Sequence, residues 1–249
     1  MNVKVVFSYD GSCFNGWHGD SNNRKCVYIQ DKIKEVLKLL FREDIVAVCA
    51  GRTDSGVHAL RQVCSFKIPY EYNLHKLKSA IEHFVQISIH EICYVSDDFH
   101  ARFSAKQREY MYVVSYDKSP LIHNRTFYSY LKWNTNLLQN MCDFLIGKRD
   151  LAFFAPYSYT GNTNKSIDYC YFKQEKLFNF ETINIYIGSK SFFYHQIRNI
   201  IGCMLEVCTH KWTMDEFVRR FNTKDRVNCA SMISASGLYF ANVKYGDES

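Results

Sequence analysis

The sequence predicts an α+β protein made of two ferredoxin-like (split β-α-β) halves that pack side by side with a cleft between them. Strand-like and helix-like patterns follow one another in the first half as strand, helix, strand, strand, helix, strand. The second half repeats this order without recognisable sequence identity to the first. No Pro-, Gly- or Ser-rich linker separates the halves, which favours direct packing. The predicted domains are residues 1–103 and 104–249.

The first half is predicted from its apolar periodicity. Apolar residues from Ile29 to Phe41 recur at helical spacing, with charged residues on the opposite face. A loop is predicted between residues 12 and about 26. The other predicted elements are strands at 3–9, 45–50, 57–68 and 91–95 and a helix at 74–85.

The second half is predicted by the same criteria. Its helix from Leu137 ends before Gly147, a residue typical of helix ends. The polar, Gly-bearing segment 158–165 is predicted to be a mobile contact loop. The other predicted elements are strands at 110–116, 166–172, 182–188 and 238–245, a long helix at 192–208 and a shorter one at 214–221.

The composition indicates a folded protein whose mild positive charge is compatible with a polyanionic partner. Aromatic residues make up 16% of the 249 residues, and the formal net charge is +6. The sequence shows no membrane-span pattern and no signal-peptide order, so we expect a cytoplasmic protein. The ten cysteines are scattered and lack metal-ligand spacing, which predicts buried thiols and no metal site.

The segment from Gly51 to Ala59 carries a carboxylate, Asp54, and a guanidinium, Arg52, between two predicted strands. Asp-Ser-Gly is a common turn sequence, so composition alone favours a turn aspartate that caps the turn. The functional alternative is a carboxylate held on a strand-end loop as a nucleophile or base. Arg52 is either a solvated surface residue or a bidentate phosphate ligand.

A second cluster lies at the predicted joint between the halves. It interleaves aromatic rings with a histidine and an arginine, which suits either a strand end or contact with RNA phosphates and bases. Its members are Phe99, His100, Ala101, Arg102 and Phe103.

Two residues of the second half are candidates for a site. Tyr110 begins a strand whose tyrosine stripe most simply fills a core, although its ring could instead face a cleft. Arg198 lies beside the apolar face of the long predicted helix. A partly buried arginine needs an acidic partner unless it extends to water, and Asp54 is a possible partner from the other half.

Together these segments resemble the tRNA pseudouridine synthase TruA family. The matching segments occur in the same order and span nearly the whole chain, which makes the resemblance highly specific. They are Tyr9-Asp10-Gly11 with Gly16-Trp17, Gly51–Ala59, Asp98–Ala105, Arg108-x-Tyr110-x-Tyr112, Phe192-x-x-His195-x-x-Arg198-Asn199-x-x-Gly202 and Gly237-Leu238-Tyr239.

The resemblance implies the pseudouridine synthase fold and conversion of uridine to pseudouridine at positions 38, 39 and 40 of the tRNA anticodon stem-loop. It implies no cofactor and a homodimer. Asp54 matches the nucleophilic aspartate, whether that residue attacks C1′ or C6 or assists a glycal route. Arg52 matches a residue that holds the flipped-out nucleotide, Tyr110 the tyrosine that stacks on the target base, and Arg198 the arginine that pairs with the aspartate. The residues from Phe99 to Phe103, together with Lys165, match tRNA-contacting segments.

The chain departs from the family pattern at several positions. Ser55 replaces the usual Ala, and Lys165-Ser166 replaces the usual Arg-Thr, which puts the contacts of that loop in question. Two other functions compete. A non-catalytic pair of RRM-like domains would require an RNP-type signature, which the sequence lacks. A glycoside hydrolase would require a second acid at a defined separation, which the sequence does not identify.

Overall fold

The computed structural model describes residues 1–19 and 25–246, which form two compact units. The first unit comprises residues 1–108 and a C-terminal strand that enters it at Tyr239. The second comprises residues 109–238. The middle of the predicted loop 12–26 lies outside the described residues. The α+β class is confirmed.

The first unit has the predicted split β-α-β arrangement. Its strands are β1 (Asn2–Tyr9), β2 (Val48–Cys49), β3 (His58–Lys67) and β4 (Ser88–Val95), and its helices are α1 (Ile29–Phe41) and α2 (Leu74–Val85). β1 lies between β3 and β4 and is antiparallel to both, while β2 pairs with the other edge of β3. The core of this unit is formed by the apolar stripe of α1 and by β1, which is buried on both faces from Val5 to Phe7.

The second unit is built on an antiparallel hairpin with helices. Its strands are β5 (Ala105–Ser115), which enters from the first unit, β6 (Phe127–Tyr128), β7 (Gly147–Asp150), β8 (Asn164–Ile167), β9 (Tyr169–Leu177) and β10 (Phe180–Ser189). Its helices are α3 (Thr135–Leu145), α4 (Gln196–Cys208) and α5 (Met214–Phe221). β10 lies between β5 and β9, and β7 pairs with β8 in a separate small sheet.

Three predicted elements of the second unit differ from the structure. The single strand predicted at 166–172 is divided at Asp168 into β8 and β9, and the predicted loop 158–165 ends inside β8. The long helix begins at Gln196 rather than at residue 192. His195 has a φ of 63°, in the left-handed region, and a chain with that backbone angle cannot continue a right-handed helix.

The last strand, β11 (Leu238–Tyr245), returns the chain to the first unit. It pairs in parallel with β3, with Tyr239 opposite His58 and Phe240 opposite Ala59. The predicted boundary at 103/104 placed this strand with the second half; the compact units differ because of this pairing.

No helix within residues 1–19 or 25–246 is both long and apolar enough to cross a membrane. The same residues contain no group of three or more His, Cys, Asp or Glu side chains suited to a metal ion.

Candidate active site

Asp54 lies in a loop between β2 and β3 that is held by one main-chain and one side-chain hydrogen bond to β3. The Ala50 N–H donates to the Val63 carbonyl at 2.8 Å, and the Gln62 side-chain amide donates to the Gly51 carbonyl at 2.8 Å. The Val57 N–H donates to the Asp54 carbonyl at 3.2 Å and closes a turn. Asp54 is half-buried at this turn. The turn expected from Asp-Ser-Gly therefore exists, and it fixes the backbone that carries the carboxylate.

Thr53, directly before Asp54, is anchored to the core of the first unit. Its hydroxyl forms a buried 2.7 Å hydrogen bond with the Tyr9 hydroxyl, and its carbonyl accepts from the Trp17 N–H at 3.0 Å. Trp17 is 1% exposed. Burial raises the pKa of Tyr9 above its ordinary value, so the phenol stays protonated and can donate. Two core aromatics thus position the residue next to the carboxylate.

Gly16 is required where the N-terminal loop crosses the Asp54 loop. It has a φ of +102°, and a Cβ there would lie 2.6 Å from the Thr53 carbonyl oxygen. Gly16 and Tyr9 belong to segments that carry the family resemblance, but their roles become visible only in this packing.

Arg52, two residues before Asp54, carries a positive charge that acts on His18. Arg52 is exposed, and so is His18. The pKa of His18 is held below its ordinary value by partial burial and then by the Arg52 charge.

The segment Phe99–Phe103 divides into a buried anchor and an exposed tip. Ala101 is fully buried; its N–H donates to the Ser65 hydroxyl at 3.0 Å and its carbonyl accepts from the Tyr245 hydroxyl at 2.7 Å. Phe99 packs against the Tyr245 ring with centroids 4.9 Å apart. These contacts fix the backbone of the segment.

The exposed tip presents two aromatic rings and a cation. Phe103 is 76% exposed, His100 stacks on it with centroids 4.4 Å apart, and the Arg102 guanidinium lies 5.5 Å from the same ring. His100 Nδ1 accepts from the Arg102 and Phe103 N–H groups, each at 3.2 Å. This arrangement suits a nucleobase and a phosphate.

Arg108 connects the tip to the Asp54 loop. Its Nε donates to the Ala50 carbonyl at 2.8 Å, and its guanidinium also donates to the Arg102 carbonyl. The sequence indicated only a positive charge at Arg108. Its bonds to two main-chain carbonyls give it a positioning role.

Tyr110 and Arg198 both lie in the second unit, on separate elements. Tyr110 is half-buried on β5, and the Phe192 ring meets it edge-on with centroids 5.2 Å apart. Arg198, half-buried in the first turn of α4, donates from Nε to the Ile233 carbonyl at 2.8 Å. Burial raises the pKa of Tyr112, and the Arg198 charge opposes that rise. The predicted pairing of Arg198 with Asp54 stays a prediction.

Lys165 lies on β8 and is held by its own unit. Its ammonium donates to the Ser191 hydroxyl at 2.8 Å and lies 4.7 Å from the Phe193 ring centroid. Partial burial lowers the pKa of Lys165. Lys165 therefore belongs to a paired strand rather than to the predicted loop.

Comparison with known proteins identifies the family. A sequence model described as tRNA pseudouridine synthase matches residues 141–246. The tRNA pseudouridine synthase A of Limosilactobacillus reuteri is 30% identical over 98% of this chain and 96% of its own length. The chain belongs to the tRNA pseudouridine synthase family.

Two further relatives agree with this family assignment over at least 97% of their length. The tRNA pseudouridine synthase A of Ehrlichia chaffeensis is 30% identical over 98% of this chain and 100% of its own. That of Maricaulis maris is 29% identical over 97% of each chain. A chain from the crystal structure of a Cbf5–Nop10–Gar1 complex aligns with 99% of this chain and 50% of its own, at 12% identity and a TM-score of 0.43.

Family membership confirms the resemblance drawn from the motifs and makes this protein a pseudouridine synthase, an isomerase that modifies tRNA. In this synthase, Asp54, Arg52 and the Phe99–Phe103 segment lie in the first unit, and Tyr110, Arg198 and Lys165 lie in the second. The supporting roles of Tyr9, Thr53 and Arg108 were not predicted from the sequence. The only sequence signal for them was their place within or beside the matching motifs.

Proposed function

We propose that this synthase isomerises uridine at positions 38, 39 and 40 of the tRNA anticodon stem-loop, with Asp54 as the nucleophile. The glycosidic C1′–N1 bond is broken, the uracil turns, and C5 is joined to C1′, so no atom is gained or lost. The observation that carries this proposal is the anchoring of the Asp54 loop, through Thr53, to two core aromatics. A carboxylate on such a support loses little entropy when it reaches the reacting atom.

The target base must leave the stem before it can react, which costs a few kcal/mol. Tyr110 is proposed to stack on the extruded uracil, and its edge-on contact with Phe192 orients the ring for that role. Arg198 is proposed to pair with Asp54 and to orient the carboxylate. A guanidinium has five N–H donors, so the bond to Ile233 orients Arg198 without using up its donors.

The remaining affinity is proposed to come from phosphate and base contacts. Arg52 holds the flipped-out nucleotide, while Arg102 and Phe103 contact the RNA backbone and a base. His100 stacks beneath Phe103, Ala101 fixes the segment through its buried main-chain bonds, and Lys165 adds a cation. We also propose, from the family resemblance, that the active protein is a cytoplasmic homodimer.

The direct test is carbodiimide mapping of a full-length substrate tRNA after incubation with the wild-type protein. Reverse-transcription stops are expected at one or more of positions 38, 39 and 40 and nowhere else in the molecule. A tRNA that lacks uridine at those three positions is the control. Tight binding without any modification would instead favour the non-catalytic RNA-binding function.

Arg102→Ala is expected to weaken tRNA binding and to flatten its dependence on salt. Loss of one phosphate contact should reduce the slope of log Kd against log salt by roughly one, because one fewer counterion is released. The Arg102 main-chain carbonyl can still accept from the Arg108 guanidinium after the substitution. Filter binding between about 50 and 200 mM salt measures the slope.

Lys76→Ala is the matched control for Arg102→Ala, since it removes one positive charge from the exposed side of α2 in the same unit. Its slope should equal that of the wild type. An unchanged slope for Arg102→Ala, or equal changes in both variants, would contradict a phosphate contact at Arg102.

A further inference from the structure

Next to Tyr110 the second unit carries aromatic rings to which the proposed function gives no role. Tyr194 is 63% exposed, whereas the preceding residue, Phe193, is 6% exposed. Its ring stacks on the ring of its neighbour His195, with centroids 3.5 Å apart and planes inclined by 29°. The pair therefore presents a flat, exposed aromatic surface at the start of α4.

A backbone turn at residues 193–196 produces this stacking. His195 has a φ of 63°, which non-glycine residues adopt infrequently and which is found disproportionately at functional sites. The Gln196 side chain accepts from the Phe193 N–H at 2.7 Å, and the Gln196 N–H donates to the Phe193 carbonyl at 3.2 Å. Gln196 is 1% exposed, so the core holds the turn in place.

The surroundings of the pair favour RNA over an apolar partner. Phe193, 6% exposed, packs beneath the turn, with the Tyr159 ring at 4.6 Å and the Lys165 ammonium at 4.7 Å from its centroid. Lys190 is a second, exposed cation just before the aromatic run. Surfaces that bind single-stranded nucleic acid commonly combine exposed aromatic rings, which stack on bases, with nearby cations, which attract the phosphate backbone.

The location of the pair relates it to the target base. Phe192 packs on Tyr110, the residue proposed to stack on the uracil, and lies two residues before Tyr194. Two residues of chain span at most about 7 Å. A base held at Tyr194 would therefore belong to a nucleotide close to the target in the same RNA.

We propose that Tyr194 and His195 form a stacking platform for a second, unpaired nucleobase of the RNA substrate, next to the uridine held at Tyr110. This inference rests on the proposed function and deepens it. Extrusion of the target uridine separates its neighbour from a stacking partner. Tyr194 replaces that partner, which stabilises the opened form of the RNA.

The test compares Tyr194→Ala, Tyr194→Phe and the wild-type protein on an anticodon stem-loop RNA. Tyr194→Ala is expected to raise Kd by about 5- to 100-fold, the range found when a base loses an aromatic partner. Tyr194→Phe keeps the ring and should bind like the wild type. Tyr130→Ala removes another exposed tyrosine of the same unit, 75% exposed, and should have no effect.

The RNA identifies the base. An abasic nucleotide is placed at each position beside the target, one position per RNA. For one of these RNAs, Tyr194→Ala and the wild type should have equal Kd values. His195→Asn tests the second ring of the platform. Asparagine adopts the left-handed backbone conformation but has no ring to stack on Tyr194. The variant should resemble Tyr194→Ala on the intact RNA.

Two results would overturn the platform: equal Kd values for Tyr194→Ala and wild type, or a Tyr194→Ala penalty that is the same with every abasic RNA. The second result would indicate a purely structural tyrosine. Wild-type protein that binds the RNA but forms no pseudouridine would contradict the proposed function instead. The emission of 2-aminopurine at the identified position should change when wild-type protein binds, and an unchanged emission would also overturn the platform.

Discussion

Asp54→Asn is expected to abolish pseudouridine formation while it leaves the affinity for tRNA within about threefold of wild type. Asparagine has nearly the same shape, but its neutral amide is a far weaker nucleophile, and single substitutions at reacting groups typically reduce kcat by more than about a thousandfold. The described anchors of the loop involve Thr53, Gly51 and main-chain groups, so the fold of the loop should survive.

Single-turnover mapping with carbodiimide measures the rate, and filter binding measures the affinity. Asp143→Asn serves as the matched control, since Asp143 is an exposed residue of α3 that accepts a hydrogen bond from Gln139 and can still do so as an amide. That variant should be fully active. A fully active Asp54→Asn protein would eliminate Asp54 as the nucleophile, and an inactive variant that no longer binds tRNA would point to a role in binding.

The helices were predicted from sequence because local patterns determine them. α2 and α5 have the predicted bounds, and each begins after a residue whose side chain accepts from a first-turn N–H, Asn73 and Thr213 respectively. The strand predicted at 45–50 was too long, since only Val48–Cys49 pairs with β3. The edge of β3 beyond that pair is occupied by β11, whose Tyr239 pairs with His58, 181 residues earlier, and no local pattern reveals such a distant partner.

The candidate site was predictable only in part for the same reason. Asp54 and Arg52 were recognised because they lie within a contiguous motif. The contacts that position them join residues far apart in sequence, such as Tyr9 with Thr53 and Arg108 with Ala50. The turn at His195 was missed because the apolar spacing of 192–208 continues through it, while its backbone angle depends on the buried Gln196 side chain.

Gly16→Ala is expected to impair both the stability and the activity of the synthase. An alanine at a φ of +102° is strained by about 1–3 kcal/mol. Its Cβ would also lie 2.6 Å from the Thr53 carbonyl oxygen, closer than these atoms can approach, so the backbone next to Asp54 must shift. A displacement of about 1 Å near reacting groups can reduce the rate by about a hundredfold.

Gly147→Ala separates these two causes. Gly147 has the same φ of +102°, but a Cβ there meets nothing within 4 Å. Both variants should lose free energy of unfolding in urea through backbone strain, with the larger loss for Gly16→Ala. Only Gly16→Ala should also lose single-turnover rate, because only its Cβ meets the Asp54 loop. Equal rates for the two variants would show that the contact between Gly16 and Thr53 does not position Asp54, and would leave Tyr9 and Trp17 as the groups that hold the loop.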